Sequence, residues 1–180
     1  MKNEEMFAGF VVAAGSDRFN EQIKLGGEPV DCKVSSGDTQ GAMSVFESTF
    51  GWPHHFHENE DEWIYVVDGE WEFQIGKKKF RAGAGQSIFV PRKIPHLWGT
   101  VDGAPGRIIH VFQPAGNMEA FFRKVGMVKD LPTREQVIHN TYTDDQINSL
   151  RALFAGHGMK LLAPPPGWLE PIADGESQTK

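Results

Sequence analysis

The chain has 180 residues, with 39% hydrophobic and 23% charged side chains and a formal net charge of −6. This length and composition suit a single globular domain with a substantial core. The acidic balance argues against nucleic acid or an anionic membrane as partner, and no apolar run reaches the length needed to cross a bilayer.

The start, residues 1–16, does not read as a secretory leader. Its apolar part is short, and Glu4 and Glu5 stand where positive charge belongs. Phe7 to Ala13 reads as a strand instead, and the favoured location is cytoplasmic. The one cysteine, Cys32, rules out an internal disulfide, fits a reducing compartment, and reads as a small strand residue rather than a reactive thiol. Twenty glycines and eleven prolines supply the many turns an all-β fold requires. Val30 to Val34 and Ala42 to Phe50 are predicted strands, parted by the turn-forming Ser35-Ser36-Gly37-Asp38. Glu58 to Asp61 reads as a solvated acidic loop. Trp63 to Val67 and Trp71 to Ile75 flank Asp68-Gly69, a tight-turn signal that predicts a hairpin. Gly76 and the lysines at 77–79 read as a second, charged hairpin turn. Phe80, Ser87 to Val90, His96 to Val101 and Arg107 to Phe112 complete the strands. Pro91 and Pro95 bracket a bend that cannot lie in a central ladder.

The last third changes period. Met118, Phe121, Phe122 and Val125 recur at i, i+3, i+4 and i+7, predicting a helix capped by Asn117. Thr133 with Gln136, and Thr143 with Gln146, have capping-box spacing. The second box opens a helix bearing Ile147, Leu150, Leu153 and Phe154 and ending near Gly156 and Gly158. Both helices are expected as a cover on the outside of a barrel. Three units follow: a barrel with its N-terminal strands over 1–115, a helical segment over 116–172 whose helices end at Pro164-Pro165-Pro166, and a disordered tail over 173–180.

The chemistry concentrates in two stretches. His55 and His57 share one face of an extended segment because side chains alternate along a strand. Glu62 follows after the acidic loop, and His96 arrives on a later strand. Three imidazoles and one carboxylate suit a divalent transition metal and leave coordination positions open. His54 has the wrong parity and is expected to face out or to make a supporting contact.

The spacing H-x-H-x4-E-x6-G is complete as His55, His57, Glu62 and Gly69, and G-x5-P runs from Gly85 to Pro91 with His96 five residues on. These resemble the paired motifs of the cupin superfamily. Departures occur at Thr49, with Gly51 nearby, where a glycine is usual, and at Lys93 and Thr100, where glycine and asparagine are usual. None removes a candidate ligand. The resemblance implies a mainly β fold, a cupin jelly-roll β-barrel (double-stranded β-helix) with short C-terminal helices, often dimeric. It also implies one metal ion (Fe, Mn, Ni, Co, Cu or Zn) held by His55, His57, Glu62 and His96.

The whole chain looks most like single-domain cupins of the quercetin 2,3-dioxygenase type. That likeness implies a dioxygenase acting with O2 on a small aromatic or enolic substrate, with Glu62 as the base as well as a ligand. Val45, Phe73, Trp98 and Phe112 are the candidate substrate-pocket wall, and each is also consistent with plain core. The alternatives are a metal-dependent isomerase or lyase of a small sugar or hydroxy acid, and a non-catalytic small-molecule-binding cupin. The expected partners are a small-molecule substrate, O2 and a second copy of the chain.

Overall fold

Alternation of buried and exposed side chains organises the central strands. The computed structural model describes residues 9–25, 27–132, 136, 141–163 and 165. In chain order the strands are β1 (Lys24–Leu25), β2 (Glu28–Val34), β3 (Ser44–Ser48), β4 (Trp52–His57), β5 (Asp61–Asp68), β6 (Glu70–Ile75), β7 (Lys78–Gly83), β8 (Ser87–Val90), β9 (His96–Thr100) and β10 (Arg107–Gln113). Helices α1 (Met118–Met127) and α2 (Asp144–Ala155) follow, and then strand β11 (Met159–Leu161). The strands form two antiparallel sheets, ordered β1-β2-β3-β10-β5-β8 and β11-β4-β9-β6-β7. This is a mainly β jelly roll, as expected.

On β5, Glu62, Ile64 and Val66 point inward while Trp63, Tyr65 and Val67 lie on the other face. On β10, Ile108, His110 and Phe112 point inward. Phe46 of β3 meets Phe112 and Phe122 with ring centroids 6.2 and 4.5 Å apart, joining the sheet to α1 through aromatic packing. Full burial of one such ring contributes about 1.5–3 kcal/mol, so this cluster is a main reason that α1 docks. Cys32 is fully buried, and its thiol is pushed up to about 12 by burial first and then by Glu119 and Asp17, which leaves it inert at neutral pH.

Several sequence expectations change in three dimensions. Asp68-Gly69 does not close a hairpin: β5 pairs with β10 and β8, and β6 pairs with β7 and β9. The chain therefore crosses from one sheet to the other at Gly69. That residue has φ of +79°, and an added Cβ would press on the Gly106 and Pro105 backbone. The turn at Gly76 and Lys77 is a true hairpin between β6 and β7, with Lys78 and Lys79 already in the strand.

Of the strand expected over Phe7 to Ala13, residues 9–13 form no strand, and 7 and 8 lie outside the described residues. Thr133, Pro164, Pro166 and the tail from 173 on also lie outside them. Asn117 stands at the α1 N-cap without a side-chain capping bond, whereas Thr143 and Gln146 form both bonds of the capping box. The C-terminal segment is more than an outer cover. Strand β11 adds to the edge of β4, and α1 and α2 bury Met118, Phe121, Phe122 and Phe154 in the same core as the strands.

Two of the unusual motif positions are now explained. A side chain at Gly51 would run into the carbonyl of Trp98 on β9, so Gly51 allows β4 to cross close to β9. Lys93 adopts φ of +65°, a left-handed conformation that glycine takes without penalty, and its N–H donates to the His57 carbonyl at 2.7 Å. The left-handed region disfavours a residue with a Cβ by about 1–2 kcal/mol, partly offset by the greater unfolded-chain freedom of glycine, so Lys93→Gly is expected to stabilise the fold by up to about 1 kcal/mol. A raised urea midpoint checks this, and an unchanged or lower midpoint contradicts it.

Candidate metal centre

The candidate ligands come from both sheets. His55 and His57 lie on β4, and His96 lies opposite His55 on the paired strand β9. Glu62 reaches in from β5 of the facing sheet. One ligand atom from each of His55, His57, Glu62 and His96 lies within 4.8 Å of the others, and all four residues are buried. His55 Nε2 is 3.2 Å from His57 Nε2, and Glu62 Oε2 is 3.7 Å from His57 Nε2 and 3.4 Å from His96 Nε2.

The donor chemistry of this group fits a cation. His55 Nδ1–H donates to the Pro53 carbonyl at 2.7 Å, and His96 Nδ1–H donates to the Ile94 carbonyl at 2.8 Å. With the proton on Nδ1, each Nε2 turns a lone pair toward the centre. Glu62 Oε2 and His96 Nε2 find no hydrogen-bond partner among the described residues. Buried acceptors that face one another without a donor are unfavourable until a positive charge sits among them. Two nitrogens bound about 2.1 Å from one ion lie roughly 3.0–3.4 Å apart in octahedral or tetrahedral geometry, and the His55–His57 separation falls in that range. These four side chains could therefore bind one divalent metal ion.

Protonation favours the same role. His55 is held well below the usual imidazole range, by burial first and then by His96 and His57, so it stays a neutral donor. Burial opposes charge on Glu62, but the hydrogen bond from His110 and the approach of His96 outweigh it and hold the carboxyl well below its usual range. His54, by contrast, points its Nδ1 at the Ala163 carbonyl, 2.7 Å away.

Three contributors escaped the sequence reading. His110 on β10 donates from Nδ1 to Glu62 Oε1 at 2.7 Å, and its Nε2 lies 2.7 Å from Ser48 Oγ. A histidine at an inward position of an otherwise apolar strand was the available signal. Glu60, expected in a solvated loop, is 2% exposed, with Oε2 3.7 Å from His57 Nδ1. Asp61, from the same acidic run, opens β5 and receives three hydrogen bonds from Arg92 at 2.7–3.0 Å, which lower its carboxyl to about 2. Only Glu58 and Asn59 of that run are exposed.

Beside the ligand residues lies a small cavity walled by Trp52, Trp98, Phe112, Phe121, Phe122 and Met159, among others. Trp98 and Phe112 were expected in its wall. Phe73 is buried against Phe80 and Trp98 and does not line the cavity. Val45 is a correction: the inward positions of β3 are Ser44, Phe46 and Ser48, so Val45 belongs to the opposite face. The parity of a strand admits one face only, and Phe46 takes it.

Residues 45–112 match the family model described as Cupin domain. The fold is a cupin jelly roll. Across 75 residues the chain is 35% identical to the acetate kinase EutQ of Clostridioides difficile strain 630, covering 42% of this chain and 44% of that protein. The chain thus spans less than half the length of the curated relative it matches. Among solved structures, the cupin barrel is similar to KdgF from Halomonas sp. (20% identity, 52% of this chain and 84% of that one, TM-score 0.46). It is also similar to a putative ethanolamine utilization protein Q from Salmonella typhimurium LT2 (23%, 49% and 71%, TM-score 0.41). A third is the nucleoside dehydratase Pac13 (19%, 55% and 79%, TM-score 0.45).

Proposed function

We propose that this protein is a metal-dependent cupin enzyme that uses O2 to oxidise a small, largely apolar enolic or phenolic substrate. The observation that carries the reading is a buried set of three imidazoles and one carboxylate facing an aromatic cavity. A divalent transition ion held by His55, His57, Glu62 and His96 would supply Lewis acidity toward a substrate oxygen and, where redox-active, reactivity with O2. Glu62 is the residue placed to accept the proton of a substrate hydroxyl, because it is the carboxylate among the four clustered side chains and its Oε2 lacks a hydrogen-bond partner among the described residues. The walls exclude water and orient a flat ring by contact with Trp98 and Phe112.

The cavity lining favours this reading over an isomerase or lyase. No Lys, Arg or Tyr stands among the described lining residues, so a sugar acid would lose its hydration without gaining partners. Size limits the substrate as well. The space beside the ligands is far smaller than the about 300–1,000 Å³ of sites for drug-sized ligands, which favours the smallest members of the substrate class over a three-ring flavonol. The test is oxygen uptake by protein loaded with each candidate metal, offered one-ring catechols, 1,3-diketones and a flavonol. Consumption with a one-ring substrate is expected. No uptake across the panel would reject the oxygenase, and anaerobic turnover of a hydroxy acid would replace it with the lyase.

The same reading takes the protein as a cytoplasmic homodimer. No helix among the described residues is long and apolar enough to cross a membrane. Trp63 and Phe89 face each other across β5 and the edge strand β8 and are 40% and 59% exposed, an apolar patch suited to a second copy. Sedimentation equilibrium is expected to give the mass of two chains, falling to one in the Trp63→Glu, Phe89→Glu double variant. A monomeric parent chain would refute the dimer.

A further inference from the structure

We infer that His110, backed by Ser48, is the positioning residue that decides which oxygen of Glu62 faces the metal site. The inference rests on the metal-centre reading above. Its basis is an array of three side chains crossing three adjacent strands. Ser48 of β3, His110 of β10 and Glu62 of β5 are joined by two contacts of 2.7 Å, and all three residues are at most 2% exposed.

Strand register builds the array. His110 lies opposite Phe46 on β3 and Ile64 on β5, so Ser48 and Glu62 are each two residues from its direct partners. All share the inward face, and diagonal neighbours on one face are within reach of a long side chain. A carboxylate cannot donate, so the hydrogen bond to Oε1 places the proton on His110 Nδ1, and Nε2 then accepts from the Ser48 hydroxyl. Phe112 lies parallel to the imidazole, with centroids 6.1 Å apart, and limits its rotation. Oε1 is thereby occupied, while Oε2 is left 3.4 Å from His96 Nε2 and 3.7 Å from His57 Nε2. A free carboxylate could turn both oxygens to one ion. This one is restricted to a single oxygen, which keeps a further coordination position open for substrate.

Two amide variants separate positioning from bulk. Asparagine places its N–H₂ near the site of Nδ1 and can still donate to Glu62. Glutamine places its amide near Nε2 and reaches Ser48 instead. Co²⁺ binding is followed by its visible absorption and by chelator competition, with circular dichroism confirming the fold. His110→Gln is expected to weaken Co²⁺ by roughly 10–100-fold, as loss of an outer hydrogen bond to a ligand does, and to shift the absorption bands, while His110→Asn stays within about threefold of the parent with unshifted bands.

Equal affinity and equal spectra for the two variants would overturn the assignment. If His110→Gln does not fold, Ser48→Ala decides: the assignment expects a several-fold loss of affinity, and a value and spectrum matching the parent overturn it. A parent protein that takes up no Co²⁺ would defeat the metal centre itself, and this assignment with it, a result distinct from equality between the variants.

Discussion

The His57→Ala protein is expected to purify with almost no metal, where the parent chain carries close to one ion. His57 is one of three imidazoles whose Nε2 atoms meet Glu62, and its Nε2 lies only 3.2 Å from that of His55. Losing even an outer partner of a ligand weakens metal binding about 10–100-fold, and losing the ligand itself exceeds that. The substitution also leaves Glu60 as a buried carboxylate without the imidazole 3.7 Å from it, so some loss of stability accompanies the loss of metal. Elemental analysis of both proteins, with thermal melts to confirm that the variant is folded, provides the check. Equal metal content in a folded variant would remove the metal centre and the proposed chemistry together.

Glu62→Gln separates the two roles of the carboxylate. The amide is nearly isosteric, but its single oxygen can either accept from His110 or face the metal site, with the NH₂ in the other place, so only the three imidazoles are retained unchanged. Metal binding is expected to weaken but to be restored when the metal is supplied in excess. Activity is not expected to return, because an amide cannot accept the substrate proton. Removal of a general base lowers turnover by about 10²–10⁴-fold, so metal-saturated Glu62→Gln should show oxygen uptake reduced by that order. Parallel recovery of metal and activity would show that Glu62 acts as a ligand alone, and the proton acceptor would have to be sought elsewhere.

The four candidate ligands were legible because their relation is local or nearly so. One residue separates His55 from His57, and the two-residue period of a strand puts both on one face whatever the rest of the chain does. Ile64 and Val66 follow Glu62 inward for the same reason, and the Thr143 capping box is written within four residues. The crossing at Gly69 was not legible. A tight turn looks alike whether the next strand pairs with the last or leaves for the other sheet, and the choice depends on which pairings bury the most apolar surface.

Tertiary structure alone brought His110 to Glu62 and Ser48 to His110, over separations of 48 and 62 residues. It likewise turned α1 and β11 from an outer cover into a wall of the cavity, through Met118, Phe121, Phe122 and Met159. Short-range spacing thus determined which side chains could hold an ion, since backbone geometry is the same in every strand. Long-range packing decided how the carboxylate is held and how much room a substrate has, because strand register and helix docking are settled by the burial free energy of the whole core.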